Sequence, residues 1–114
     1  MIQVYHNPRC GKSRECLAFL DDEKVGYEIV EYLKTKPKFR EIQSLLKKLR
    51  VKAIEIVRTK EPEWQPFKNE TLTNDEIIHI LVKHPILIER PIVVKGDKAV
   101  VARPLEKAAE VIRS

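Results

Sequence analysis

The chain has 114 residues, 43% apolar and 34% charged, and a net charge of +5. That length supports one domain with a modest hydrophobic core, and the apolar share excludes an intrinsically disordered chain. No apolar run approaches the roughly 18 residues of a membrane span, and no signal-peptide pattern opens the sequence. The expected location is therefore the cytoplasm, where two cysteines are reduced or catalytic and not a structural bridge. The basic excess is interleaved with acids: even between Lys34 and Lys60 stand Glu41 and Glu55, with no stacking-aromatic pattern. Nucleic acid is accordingly not an expected partner, whereas a small anionic substrate suits the bias.

In chain order, "IQVY" at 2–5 reads as a buried strand. A helix follows from Gly11 to about Glu23, with Cys16, Leu17 and Leu20 on one apolar face. After Gly26, "YEIVEY" at 27–32 alternates like a second strand. Phe39, Ile42, Leu45, Leu46 and Leu49 keep the 3.6-residue period of a helix after Pro37. "VKAIEIVR" suggests a short helix, and "TKEPEWQPFKNETL", with its two prolines, an irregular stretch. "TNDE" at 73–76 is a capping box opening a helix that Pro85 stops. "PIVV", "KGDK" and "AVVA" make a hairpin with a Gly-Asp turn, and Pro104 is placed to open a last helix to about Ile112. The order β-α-β, helical block, β-β-α is the thioredoxin-like layout: one α/β domain over 1–114 with an all-helical insertion at about 38–84.

The chemistry concentrates in "HNPRCGKSREC" at 6–16. A phosphate-binding P-loop needs a glycine where His6 stands, and a phosphatase loop needs an arginine where Cys16 stands. A Cys-x-x-Cys pair would need its second cysteine at Ser13. Cys16 lies six residues beyond Cys10, about 9 Å along a helix. Disulfide geometry requires Cα atoms within about 7 Å. Cys10 must then act alone, at the junction of a strand and a helix where free amides and the helix dipole favour thiolate and oxyanion alike. Arg9, Lys12, Arg14 and His6 add positive potential. On residue chemistry alone, an ordinary cysteine in a basic surface turn remains the alternative.

These residues carry a family resemblance. "YHNPRCGKSRE" is similar to the N-terminal signature of the glutaredoxin-dependent arsenate reductase family, and "IVRTKEPEW", "HPILIERPIVV" and "VARP" continue the match in the family's order, from Ile2 to about Ala108. The resemblance implies a thioredoxin-like fold with a helical insertion. It implies that Cys10 is the nucleophile forming a cysteine–arsenate thioester, and that Arg58, Arg90 and Arg103 bind the oxyanion and the intermediate. Pro91 would be the cis proline of the fold, and His6 would help to hold the thiolate. Asn7 and Gly11 belong to the signature, while Ser13 and Arg14 would hydrogen-bond sulfur or oxyanion. No bound cofactor or metal is implied; glutathione enters as a co-substrate, glutaredoxin as a protein partner, and the chain is expected to act as a monomer. His79 and His84 receive no role, and Trp64 is read as packing.

Two other classes stay open at this point. One is a glutathione-dependent monothiol oxidoreductase built on "CGKS", without arsenate activity. The other is a regulator of the related Spx type that binds RNA polymerase; such regulators usually carry a Cys-x-x-Cys switch, and Ser13 argues against it.

Overall fold

The structure is a computed structural model that describes residues 1–113. The chain divides into two compact units, residues 1–35 with those from Arg90 onward, and Lys36–Glu89.

The first unit is built on a four-stranded sheet of order β2-β1-β3-β4, made by β1 (Ile2–Tyr5), β2 (Tyr27–Val30), β3 (Ile92–Lys95) and β4 (Lys98–Val101). β1 runs parallel to β2 and antiparallel to β3, and Tyr5 stands opposite both Val30 and Ile92. Parallel neighbours require a crossover, and α1 (Gly11–Asp22) supplies it. The expected apolar face of α1 is real: Cys16 and Leu20 are fully buried with Ile2, Val4, Val93, Ala102, Ala108 and Val111, and Leu17 packs at the margin. Burying a leucine such as Leu20 contributes about 2–3 kcal/mol. α5 (Lys107–Ile112) packs on β3 and β4, and the Lys95 Nζ donates to the carbonyl of Ile112 at 2.9 Å.

Two expectations in this unit need correction. The second strand stops at Val30, because the Glu31 carbonyl closes a helical turn by accepting from Lys34 and Thr35 (2.8 and 3.0 Å), so that Tyr32 begins α2 (Tyr32–Thr35). The hairpin has the expected Gly-Asp turn: Lys95 pairs with Lys98, and Gly96 and Asp97 turn the chain. Gly96 has φ +62°, a conformation that favours glycine. The last helix starts at Lys107 and not at Pro104, which is followed by i→i−3 bonds from Lys107 to Pro104 and from Ala108 to Leu105.

The second unit is helical. α3 (Phe39–Leu49) buries Ile42, Leu45 and Leu46, on the expected period, and packs on α4 (Asn74–Lys83), which buries Ile77, Ile78 and Leu81. The capping box is present: Thr73 Oγ1 accepts from the Glu76 amide at 3.1 Å and Glu76 Oε1 from the Thr73 amide at 2.8 Å. Such a cap stabilises a helix by about 1 kcal/mol. "VKAIEIVR" forms a short 3₁₀ helix at Ala53–Ile56. The stretch read as irregular holds another, Pro62–Phe67, since a proline at the first helical position lacks only an amide that would have gone unpaired. Trp64 is buried and its ring meets Phe67 at 5.8 Å, a packing role as expected. Among the described residues no helix is long and apolar enough to cross a membrane.

Candidate active site around Cys10

The loop after β1 is held by its own backbone. The Cys10 amide donates to the Asn7 carbonyl at 2.9 Å, closing a turn with Pro8 at its second position, and Asn7 Oδ1 accepts from the Arg9 amide at 3.0 Å. Cys10 then caps α1 in an extended conformation (φ −95°, ψ 121°), its carbonyl accepting from Arg14 at 3.1 Å. The amides of the first helical turn are left to face whatever sits at that end.

Cys10 is half-buried, and that burial by itself opposes a charged sulfur. The opposing interactions win: the Ser13 amide, the Arg90 guanidinium, the Lys12 amide and the Ser13 hydroxyl together pull the thiol from 9.0 to about 7. Arg103 adds a further donor, its Nη2 lying 3.6 Å from the sulfur. The thiolate is thus far more accessible at neutral pH than that of an ordinary cysteine.

Both of these arginines directly precede a proline. The Arg90–Pro91 bond is cis, as the resemblance implies, and so is Arg103–Pro104, which the sequence reading did not anticipate. The Arg90 carbonyl accepts from Arg103 Nε at 2.6 Å, and the Pro91 carbonyl from the Ala102 amide at 3.0 Å. Arg90 is 9% exposed; burial opposes its charge, but the influence of Cys10 and Tyr32 together outweighs that and raises its basicity. A guanidinium fork is suited to a tetrahedral oxyanion, so this pair can serve both the sulfur and an anion beside it.

The remaining residues divide by task. Ser13 is fully buried, and its Oγ accepts from the Asn7 amide at 3.4 Å while the same hydroxyl serves the sulfur. Arg14 turns back to the loop, donating from Nη1 to the Pro8 carbonyl at 2.9 Å. His6 is buried with its basicity lowered, chiefly by burial and further by Arg14, against the pull of Glu31. Its neutral form is favoured, and among the described residues no hydrogen bond from His6 to the sulfur is found. Gly11 is exposed, and a Cβ there would meet only Arg14 Nη2, at 3.7 Å, so space alone does not demand glycine. Arg58 belongs to the second unit, where Nε lies 3.3 Å from Glu61 and Nη1 3.8 Å from Glu89. Tyr32 was not singled out from the sequence, yet it is fully buried and helps to raise the basicity of Arg90. Inside "YEIVEY" its alternation looked like strand, which hid it.

The family model described as ArsC family matches residues 5–111. An arsenate reductase of Haemophilus influenzae is 38% identical over 97% of this chain and 98% of its own. One of Neisseria meningitidis serogroup A is 37% identical over 97% of each. The structure of an arsenate reductase from Vibrio cholerae superposes with a TM-score of 0.92 at 34% identity, covering 96% of both chains. With β1-α1-β2 and the β3-β4 hairpin arranged in the thioredoxin-like way around Cys10, and with full-length matches of this kind, the chain belongs to the ArsC family.

Proposed function

We propose that this protein reduces arsenate to arsenite through Cys10 as its single nucleophile, with glutathione and glutaredoxin as reductants. The observation that carries this reading is the thiol drawn down to about 7 at the mouth of α1 with the Arg90 and Arg103 guanidiniums against it. A thiolate and an oxyanion site made of the same cations is the arrangement that nucleophilic attack on a phosphate-like dianion needs. The thiolate displaces an oxygen of arsenate, which leaves as water after protonation. Arg90 and Arg103 hold the oxyanion and the adduct, with amides of Gly11, Lys12 and Ser13 at the helix end. Glutathione thiolate then attacks the adduct; the electron pair passes to arsenic, arsenite departs, and Cys10 and glutathione are joined as a mixed disulfide. Glutaredoxin removes that glutathione and restores the thiol. External thiols are required because Cys16 is buried and burial pushes its thiol up to about 11. The role of Cys10 requires no bound cofactor, and we place the enzyme in the cytoplasm as a monomer.

One observation favours a second reading, a glutathione-dependent monothiol oxidoreductase without arsenate activity. Arg58, the third arginine of the resemblance, is paired with two carboxylates of its own unit and is not a bare cation. Consumption of NADPH in the presence of glutathione, glutathione reductase and glutaredoxin separates the two. Arsenate-dependent oxidation that disappears in Cys10→Ser is expected. Oxidation that is indifferent to arsenate, but depends on a glutathione mixed disulfide, would establish the second reading.

A further inference from the structure

We infer that the free guanidinium of Arg9 receives a carboxylate of glutathione as the glutathione sulfur approaches Cys10. The inference rests on reading Cys10 as the nucleophile and glutathione as its reductant. It gives Arg9 a task separate from that of the arginines at the oxyanion.

The cations near Cys10 are not equivalent. Arg103 is held at the sulfur itself, its Nε donating to the Arg90 carbonyl at 2.6 Å and its Nη2 lying 3.6 Å from Sγ. Arg14 is turned back onto the Pro8 carbonyl at 2.9 Å, and Lys12 has Glu15 at 3.8 Å. Arg9 differs from all three. It is exposed, and among the described residues its guanidinium has neither a hydrogen bond nor an ion pair. Its backbone, by contrast, is pinned. The Arg9 amide donates to Asn7 Oδ1 at 3.0 Å, inside the turn that the Cys10 amide closes on the Asn7 carbonyl at 2.9 Å. An exposed arginine is ordinary in itself; this one stands on a fixed stem whose Cα is about 3.8 Å from that of the nucleophile.

That place suits glutathione better than it suits a small oxyanion. A tetrahedral anion bonded to the sulfur lies against the cation held there, Arg103. Glutathione carries two carboxylates and one ammonium, and its carboxylates stand several bonds away from its thiol. A cation set beside the nucleophile and open to solvent meets them as the thiol arrives, and a guanidinium grips a carboxylate through two parallel hydrogen bonds. An exposed pair of this kind changes a rate by a few-fold and is screened by salt.

The test compares charged and neutral reagents on one thiolate. In the full chain Cys10 is alkylated with iodoacetate or iodoacetamide, and separately treated with glutathione disulfide or hydroxyethyl disulfide. Each reaction is followed by mass spectrometry across its pH midpoint. In the disulfide reactions the Cys10 thiolate attacks one sulfur of the reagent, the S–S bond breaks, and the other half leaves as a thiolate. The ratio of rates within each pair cancels the ionised fraction of Cys10 and reads the charge beside it. Arg9→Gln should lower both charged-to-neutral ratios by about threefold or more at low salt, and the drop should vanish in about 1 M salt. Lys98→Gln, which removes the same charge from the exposed start of β4, should leave both ratios unchanged. Unmoved ratios in Arg9→Gln would overturn the inference, as would an equal fall in Lys98→Gln or a fall that survives high salt. A fall with iodoacetate alone would overturn it too, since glutathione would then not meet that charge. None of these reactions needs arsenate. Arg9-dependent ratios in a protein without arsenate turnover would sink the proposed substrate and leave this inference standing, whereas arsenate turnover with unmoved ratios would do the reverse.

Discussion

Two thiols on one helix have opposite fates. Cys10, at the mouth of α1, is drawn down to about 7, while Cys16, less than two turns on, is pushed up to about 11. Burial opposes the charge at both positions and is the largest influence on each. At Cys16 nothing answers it, since the side chain lies in the apolar layer with Leu20 and Val93. At Cys10 two amides, a hydroxyl and two guanidiniums answer it. The lesson is that reactivity here comes from donors aimed at the sulfur and not from exposure.

The largest break in that contrast is Cys10→Ser. It should abolish arsenate-dependent NADPH oxidation in the coupled assay, because no other thiol of the chain is ionised near neutral pH. Retained turnover would show that Cys16, or another group, carries the chemistry. The same asymmetry has a stability consequence. The folded Cys10 thiol lies below its ordinary 9.0, so the stabilisation it contributes is complete above pH 9 and is lost as pH falls through about 7.

Next in size is Arg90→Met, which removes a charge that touches the sulfur while keeping much of the side-chain length. The alkylation midpoint of Cys10 should rise by about one unit, and kcat/KM for arsenate should fall at least tenfold. A fall in turnover without a shifted midpoint would confine Arg90 to the oxyanion and take it away from the thiolate.

Cys16→Ala probes the other thiol. Loss of the buried sulfur should cost about 1–2 kcal/mol in urea unfolding. Turnover and the Cys10 midpoint should stay as they are in the parent. A folded Cys16 variant that loses turnover would end the single-cysteine mechanism and make Cys16 a resolving thiol.

Much of this contrast was legible in the sequence, because it depends on local spacing. The spacing of Ser13 and Cys16 from Cys10 excluded a redox pair, and the period of Cys16, Leu17 and Leu20 put Cys16 on the apolar face. The capping box at Thr73 and the turn at Gly96 were equally local and equally readable. What lay hidden depends on pairing across the chain. Tyr5, at the end of β1, gains its neighbours from the register with two partner strands, and Arg103 its pose from a carbonyl 13 residues away. Arg14, for which the resemblance implies a hydrogen bond to sulfur or oxyanion, donates to the Pro8 carbonyl, a loop contact that its charge alone does not announce. Prolines misled as well: Pro62 opens a 3₁₀ helix, and Pro104 stands three residues ahead of the helix it was expected to begin.

The finest test separates hydroxyl from amide at Ser13. Both act on the Cys10 sulfur, the amide ahead of Arg90 in size and the hydroxyl last of the four. Ser13→Ala keeps the amide and the helical position and deletes only the hydroxyl, in a site that is fully buried and accepts a smaller side chain. The Cys10 midpoint should therefore rise by only a few tenths of a unit, roughly a third of the Arg90→Met effect. Stability should fall by about 1 kcal/mol, because the buried Asn7 amide loses the oxygen it donates to. A rise as large as that of Arg90→Met would mean that the hydroxyl, and not the backbone at the helix end, is the principal donor. The difference between Cys10 and Cys16 would then rest on one side chain and be transferable by placing a serine three residues beyond any helix-capping cysteine. A small rise locates the difference in the fold, in amides that only the end of a helix leaves free.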